Sequence, residues 1–202
     1  MSDLTITNAG VSVTKKTGGE VLSNNKKLNQ MNVTMIDVDI TLDSPAYAIG
    51  DNLFLPTKIE NALAVKGGSA ILQSVVAVAS NDDVDADSTG AATGAFDLIV
   101  TSDATTTGFA AMNAAASGND YARTVAINTC GWFSMTNMTD MGAYSIGSKN
   151  NIGMVVTAES DSRDLYVWGI AQSATDYDLD DDESAGTADG GILTLRFGIV
   201  QD

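Results

Sequence analysis

An antiparallel β-sandwich, jelly-roll-like and with one short helix near residues 108–116, is the fold this sequence predicts. Period-two alternation of apolar and polar residues dominates from residue 33 onward, and Gly-, Asp- and Asn-rich connections interrupt it at intervals of about 10–20 residues. Composition agrees: 202 residues, 44% hydrophobic and 18% charged, are enough for one substantial core and too apolar for disorder.

The elements follow in order. Residues 1–32 are polar and rich in Gly and Asn, and predict an N-terminal leader or arm without a core of its own; residues 33–202 predict the β-sandwich domain. "MIDVDITLD" sets Ile36, Val38, Ile40 and Leu42 on one face and Asp37, Asp39 and Thr41 on the other, a half-buried antiparallel strand. "AYAIGDNLF" follows, with Gly50-Asp51 as its turn. "AILQSVVAVAS" (70–80) is so apolar and β-branched that it reads as covered on both faces. Further strands are expected in 95–103, 121–128, 131–137, 151–160, 163–173 and 191–202. "YSIGSKNN" and "SNDDVDADSTGAATG" read as connections, and "GFAAMNAAASGNDYA" (108–122) as the short helix, stopped by Gly118. In the last strand Leu193, Leu195, Phe197 and Ile199 alternate with Thr194, Arg196, Gly198 and Val200 almost to the final residue. With prolines only at 45 and 56, the edges are poorly protected, which points to closure or to a partner.

Charge and missing residue types remove whole classes of function. A net charge of −16 repels phosphate, so no nucleic-acid partner is expected. The charge is uneven. Residues 1–31 carry Lys15, Lys16, Lys26 and Lys27 against Asp3 and Glu20, while the remaining chain holds six basic and 24 acidic side chains. A slightly basic leader on an acidic body suggests a tail that docks elsewhere, and these four lysines are its candidate contacts. There is no histidine, which excludes imidazole bases, Ser-His-Asp and Cys-His systems and histidine-ligated zinc. Cys130 is the only cysteine, so no intrachain disulfide can form. No run of 18 apolar residues occurs and the opening "MSDLTITNAGVSV" lacks the features of a secretory signal, so neither a membrane partner nor export is expected.

Candidate sites weigh towards structure. "DYDLDDDES" packs six carboxylates into nine residues and opens like a calcium loop. An EF-hand frame from Asp176 needs Gly sixth and Glu twelfth but meets Asp181 and Thr187; a frame from Asp83 meets Ser88 and Gly94. Both fail, so the stretch is expected to be a solvated loop with no metal. Glu60 and Glu159 are the only acids in contexts that could form a pocket, and a surface role is favoured for both. Cys130 has no nearby base and reads as a small buried hydrophobe. Trp132, Phe133, Tyr166 and Trp168 sit at strand spacing and read as packing ahead of a sugar platform. No catalytic residue and no cofactor site is expected.

Three blocks carry a resemblance: "AYAIGDNLFLPTKIENALAVKGGSAILQSVVAVASNDD" (46–83), "NIGMVVTAESDSRDLYVWGIAQS" (151–173) and "GILTLRFGIVQD" (191–202). With Gly-Asp before "ENA…GG…LQS", "SR-x-LYV" and a closing "LTLRFG", the chain resembles small capsid-associated, decoration-type proteins of tailed bacteriophages over about 70 of 202 residues. None of these is a catalytic motif. The resemblance implies a disulfide-free β-sandwich made in the host cytoplasm and placed on the virion. It implies a homo-oligomer, trimeric by preference, whose partner is the major capsid protein. From other classes, a carbohydrate-binding or adhesive module would need Trp132 and Trp168 exposed and coplanar, and a carboxylate enzyme would need two acids converging in a pocket.

Overall fold

The computed structural model describes residues 4–8, 11–15, 32–42, 47–80, 94–103, 108–118, 126–136, 138–141, 144–174 and 192–201. The chain divides into two compact units, Met1–Asn32 and Val33–Asp202. In the first, β1 (Leu4–Asn8) and β2 (Val11–Lys15) pair antiparallel, from Leu4 opposite Lys15 to Asn8 opposite Val11. Only Ala9 and Gly10 separate the strands, the spacing of a two-residue hairpin connection, and Thr5, Ile6, Thr7, Val11, Val13 and Thr14 are strand formers by their branched Cβ. The leader therefore carries a β-hairpin.

The second unit is two antiparallel sheets packed together. One has the order β4 (Asn52–Ile59), β10 (Leu165–Ala171), β6 (Phe96–Thr101), β7 (Thr129–Met135). The other has the order β3 (Asn32–Thr41), β11 (Ile192–Gln201), β5 (Ser69–Ser80), β9 (Tyr144–Thr157), β8 (Thr139–Asp140). The chain changes sheet at each step from β3 to β6, so sequence neighbours lie across the core and not beside one another.

Alternation decides which side chains meet there. Val38, Ile40 and Leu42 of the β3 segment, Leu193, Leu195, Phe197 and Ile199 of β11, and Leu72, Val75, Ala77 and Ala79 of β5 form the inner face of one sheet. Against them stand Phe54 and Ile59 of β4, Phe96, Leu98 and Val100 of β6, Phe133 and Met135 of β7, and Leu165 and Val167 of β10. Each large side chain so buried contributes about 1.5–3 kcal/mol. The β5–β9 ladder is interrupted between Leu72 and Ser74, where Asn151 and Gly153 take left-handed backbone conformations (φ 58° and 64°). That bulge turns Ile152 towards the core while the strand continues.

Four expectations need correction. The helix near 108–116 does not form: Gly108 and Asn113 have φ of 87° and 55°, and only a 3-10 turn at Ala116–Gly118 is helical. Its backbone groups go to a neighbour, since Asn52 N–H donates to Ala114 O, Asn113 N–H to Asn52 O and Ala116 N–H to Gly50 O. Of the strand expected at 121–128, the described end, Ala126–Asn128, is a helical turn, and β7 begins after it at Thr129, opposite Thr101. Conversely "YSIGSKNN" is no connection but the first half of the 14-residue β9, because β5 offers it a full ladder. β5 itself has strands on both sides but only one buried face.

Candidate functional site

The three resembling blocks, distant in sequence, meet at one end of the sandwich. Loop 60–68 follows β4 and loop 158–164 precedes β10. Leu63 N–H donates to Arg163 O and Gly67 N–H to Ser162 O (both 2.9 Å), and Ala158 N–H to Gly68 O (3.3 Å). Gln201, near the end of β11, donates its side-chain amide to Ala62 O at 2.8 Å. Asn61 takes a left-handed conformation (φ 54°), and its N–H donates to Asp164 Oδ1 at 2.8 Å. Asp164 Oδ2 lies 2.9 Å from Lys58 Nζ, and Arg163 donates to Asn61 Oδ1 at 2.6 Å.

The electrostatics make this end a clamp. Burial alone would raise the Asp164 carboxyl, but the Asn61 N–H and the Lys58 ammonium prevail and hold it below the usual carboxylate range. The hydrogen bond that Lys58 donates to Asp164 in turn raises the ammonium. Tyr166 is raised by burial and by the Asp164 charge. A carboxylate held ionised in this way is a poor general acid at neutral pH. Glu60 stands 3.8 Å from Lys58 and is exposed, as is Glu159, so neither lies in an apolar pocket.

The tryptophans part company. Trp168 of β10, Ile99 of β6 and Trp132 of β7 are ladder neighbours on the outer face of the four-stranded sheet. Phe109 meets Trp168 edge-on at 5.1 Å, leaving it 6% exposed, while Trp132 is 63% exposed. The residues read as a helix thus contribute part of a cover over this sheet. A platform of two exposed coplanar tryptophans is not formed. Beside the row, Asp97 accepts hydrogen bonds from Ser134 and from Gln172 (2.9 Å).

Cys130 is partly buried with Sγ 3.7 Å from Thr157 O, and burial raises its thiol. That disfavours the thiolate a nucleophile needs. Lys15 is the last residue of β2, opposite Leu4. Lys16, Lys26, Lys27 and the stretches Asp83–Asp87 and Asp176–Glu183 lie outside the described residues. Among the described residues no group of three Cys, Asp or Glu side chains could hold a metal ion, and no helix is long and apolar enough to cross a membrane.

One surface escaped the sequence. Val33, Met35, Ile71 and Val155 occupy outward positions yet are apolar and exposed. Their signal was present as apolar residues on the polar side of an alternating pattern, but each strand shows only one or two of them.

No protein-family model matches the chain, and no curated protein matches it in sequence.

Proposed function

We propose that the chain is a structural virion protein without catalytic activity, a capsid decoration protein that binds and stabilises a phage head lattice through the major capsid protein. The observation that carries this is the division of the chain into a small N-terminal unit and an acidic sandwich, with opposite excess charge. Met1–Asn32 holds four lysines against two acids, and the rest holds 24 acids against six basic residues. A contact arm and an outward acidic body is the arrangement such a part requires, since like charge keeps particles apart. The strand orders 3-11-5-9 and 4-10-6-7, with β8 added at an edge, support the jelly-roll assignment, because the chain wraps in antiparallel pairs across two sheets.

In this role the β1–β2 hairpin and the lysines Lys15, Lys16, Lys26 and Lys27 contact the capsid. Strand edges and apolar contacts supply most of the affinity, since each exposed ion pair adds only about 0–1 kcal/mol. Assembly as a trimer multiplies weak contacts. Deleting residues 1–30 is expected to leave a folded sandwich that no longer co-sediments with heads assembled without this chain. Retention of full binding by the truncated chain would show that the leader is not the contact.

A further inference from the structure

The outer face of the five-stranded sheet carries an apolar row where alternation calls for polar residues. Val200 of β11, Ile71 of β5 and Val155 of β9 are consecutive ladder partners. They point away from the core, because Ile199, Ala70, Leu72 and Val156 beside them in the chain are buried. β3 extends the row. The contacts Arg196–Asp37 and Thr194–Asp39 set the register of β3 on β11, and further steps place Met35 beside Gly198 and Val33 beside Val200. Met35 confirms the first of these, its Sδ lying 3.4 Å from where a Cβ on Gly198 would stand. Val33 and Met35 are about half exposed, and Val155 is 64% exposed.

The row crosses four strands and contains no charged side chain. Ser69 and Thr157 border it, their hydroxyls bonded to each other at 3.0 Å. Among the described residues of the face, Asp37 and Arg196 pair with one another through two hydrogen bonds of 2.7 Å. On a chain of net −16 the described residues of this row form an uncharged strip.

We propose that this row is the surface on which the chain meets a second copy of itself. Charge selects the occupant. A basic partner would be drawn to the acidic surface elsewhere, whereas an acidic partner can approach only where acid is absent, and a second copy is an acidic partner. The row also suits self-association because branched apolar side chains flanked by hydroxyls are their own chemical complement about a symmetry axis. This surface rests on the self-assembly included in the proposed function but not on the capsid contact, which the co-sedimentation experiment tests separately.

Sedimentation of the full chain over a concentration series, at low and high NaCl, tests the proposal. Association is expected to strengthen with salt, since screening removes repulsion while apolar contact persists. Val155→Asp and Val33→Asp change exposed positions at opposite ends of the row, so each is expected to fold as wild type by circular dichroism and to weaken association by about tenfold or more. Val65→Asp, exposed in loop 60–68 and not part of the row, is expected to associate as wild type. A wild-type chain that stays monomeric throughout overturns the proposal, whatever else then covers the row. So does association unchanged by both row variants, or weakened equally by Val65→Asp.

Discussion

Ser145 shows how a single polar atom sits in this core. It lies on the inner side of β9, fully buried, and its Oγ has no hydrogen-bond partner among the described residues. Its ladder partner on β5 is Ala79, and two residues further along β9 a Cβ at Gly147 would press against Met138. An unpaired buried hydroxyl carries a desolvation cost of about 1–3 kcal/mol, while removing one oxygen leaves almost no void. Ser145→Ala is therefore expected to raise stability by about 1 kcal/mol in denaturant unfolding. A loss of stability of that size would show that the hydroxyl has a partner that matters. Gly169 illustrates the opposite constraint, because any Cβ there would run into the Phe54 ring.

At the scale of elements, the clamp between loops 60–68 and 158–164 depends on a charged carboxylate. Asp164 holds the Asn61 N–H and the Lys58 ammonium together, and its folded-state pKa lies below the ordinary value. A depressed carboxylate stabilises the fold above its unfolded pKa, and that contribution is lost as pH falls through the lower, folded value. Asp164→Asn keeps an oxygen for the Asn61 N–H but removes the charge. It is expected to be less stable than wild type by about 0.5–1 kcal/mol at neutral pH, the difference closing as pH falls through and below the ordinary carboxylate range. Thermal melts of both proteins across that range check it, and a difference that persists at the acid end would mean that shape, not charge, holds the loops. Cys130 stands apart from this chemistry, raised by burial and lacking a base within the contacts it makes.

For the whole molecule, self-repulsion outweighs local charge pairing. Sixteen excess negative charges act on a chain whose ion pairs among the described residues, Lys58–Asp164 and Arg196–Asp37 foremost, lie at the surface. Surface pairs are worth little and salt weakens them, whereas salt relieves repulsion across the entire surface. The melting temperature of dilute protein is therefore expected to rise between low salt and about 1 M NaCl, where the Debye length is about 3 Å. A fall would show that the surface pairs outweigh the net charge.

Amino-acid order by itself determined that this chain builds an all-β sandwich, because alternation and turn chemistry are local. "MIDVDITLD" and "GILTLRFGIVQD" show which side is buried wherever they are placed, and zero histidines exclude imidazole chemistry without coordinates. Tertiary structure alone decided where local preference had a competitor. The Ala-rich 108–118 segment gave up its own turns because Gly50 and Asn52 accept and supply its backbone bonds. "YSIGSKNN" became strand because a paired backbone outweighs a weak strand propensity. Trp168 and Trp132 look alike in sequence, but Trp168 lies on an inner strand with Phe109, 59 residues before it in the chain, against its ring, while Trp132 lies on the edge strand β7. The clamp and the apolar row were hidden for the same reason. Each is assembled from three or four strands and loops far apart in the chain, and the ladder that brings them together is set by pairing that no single segment encodes.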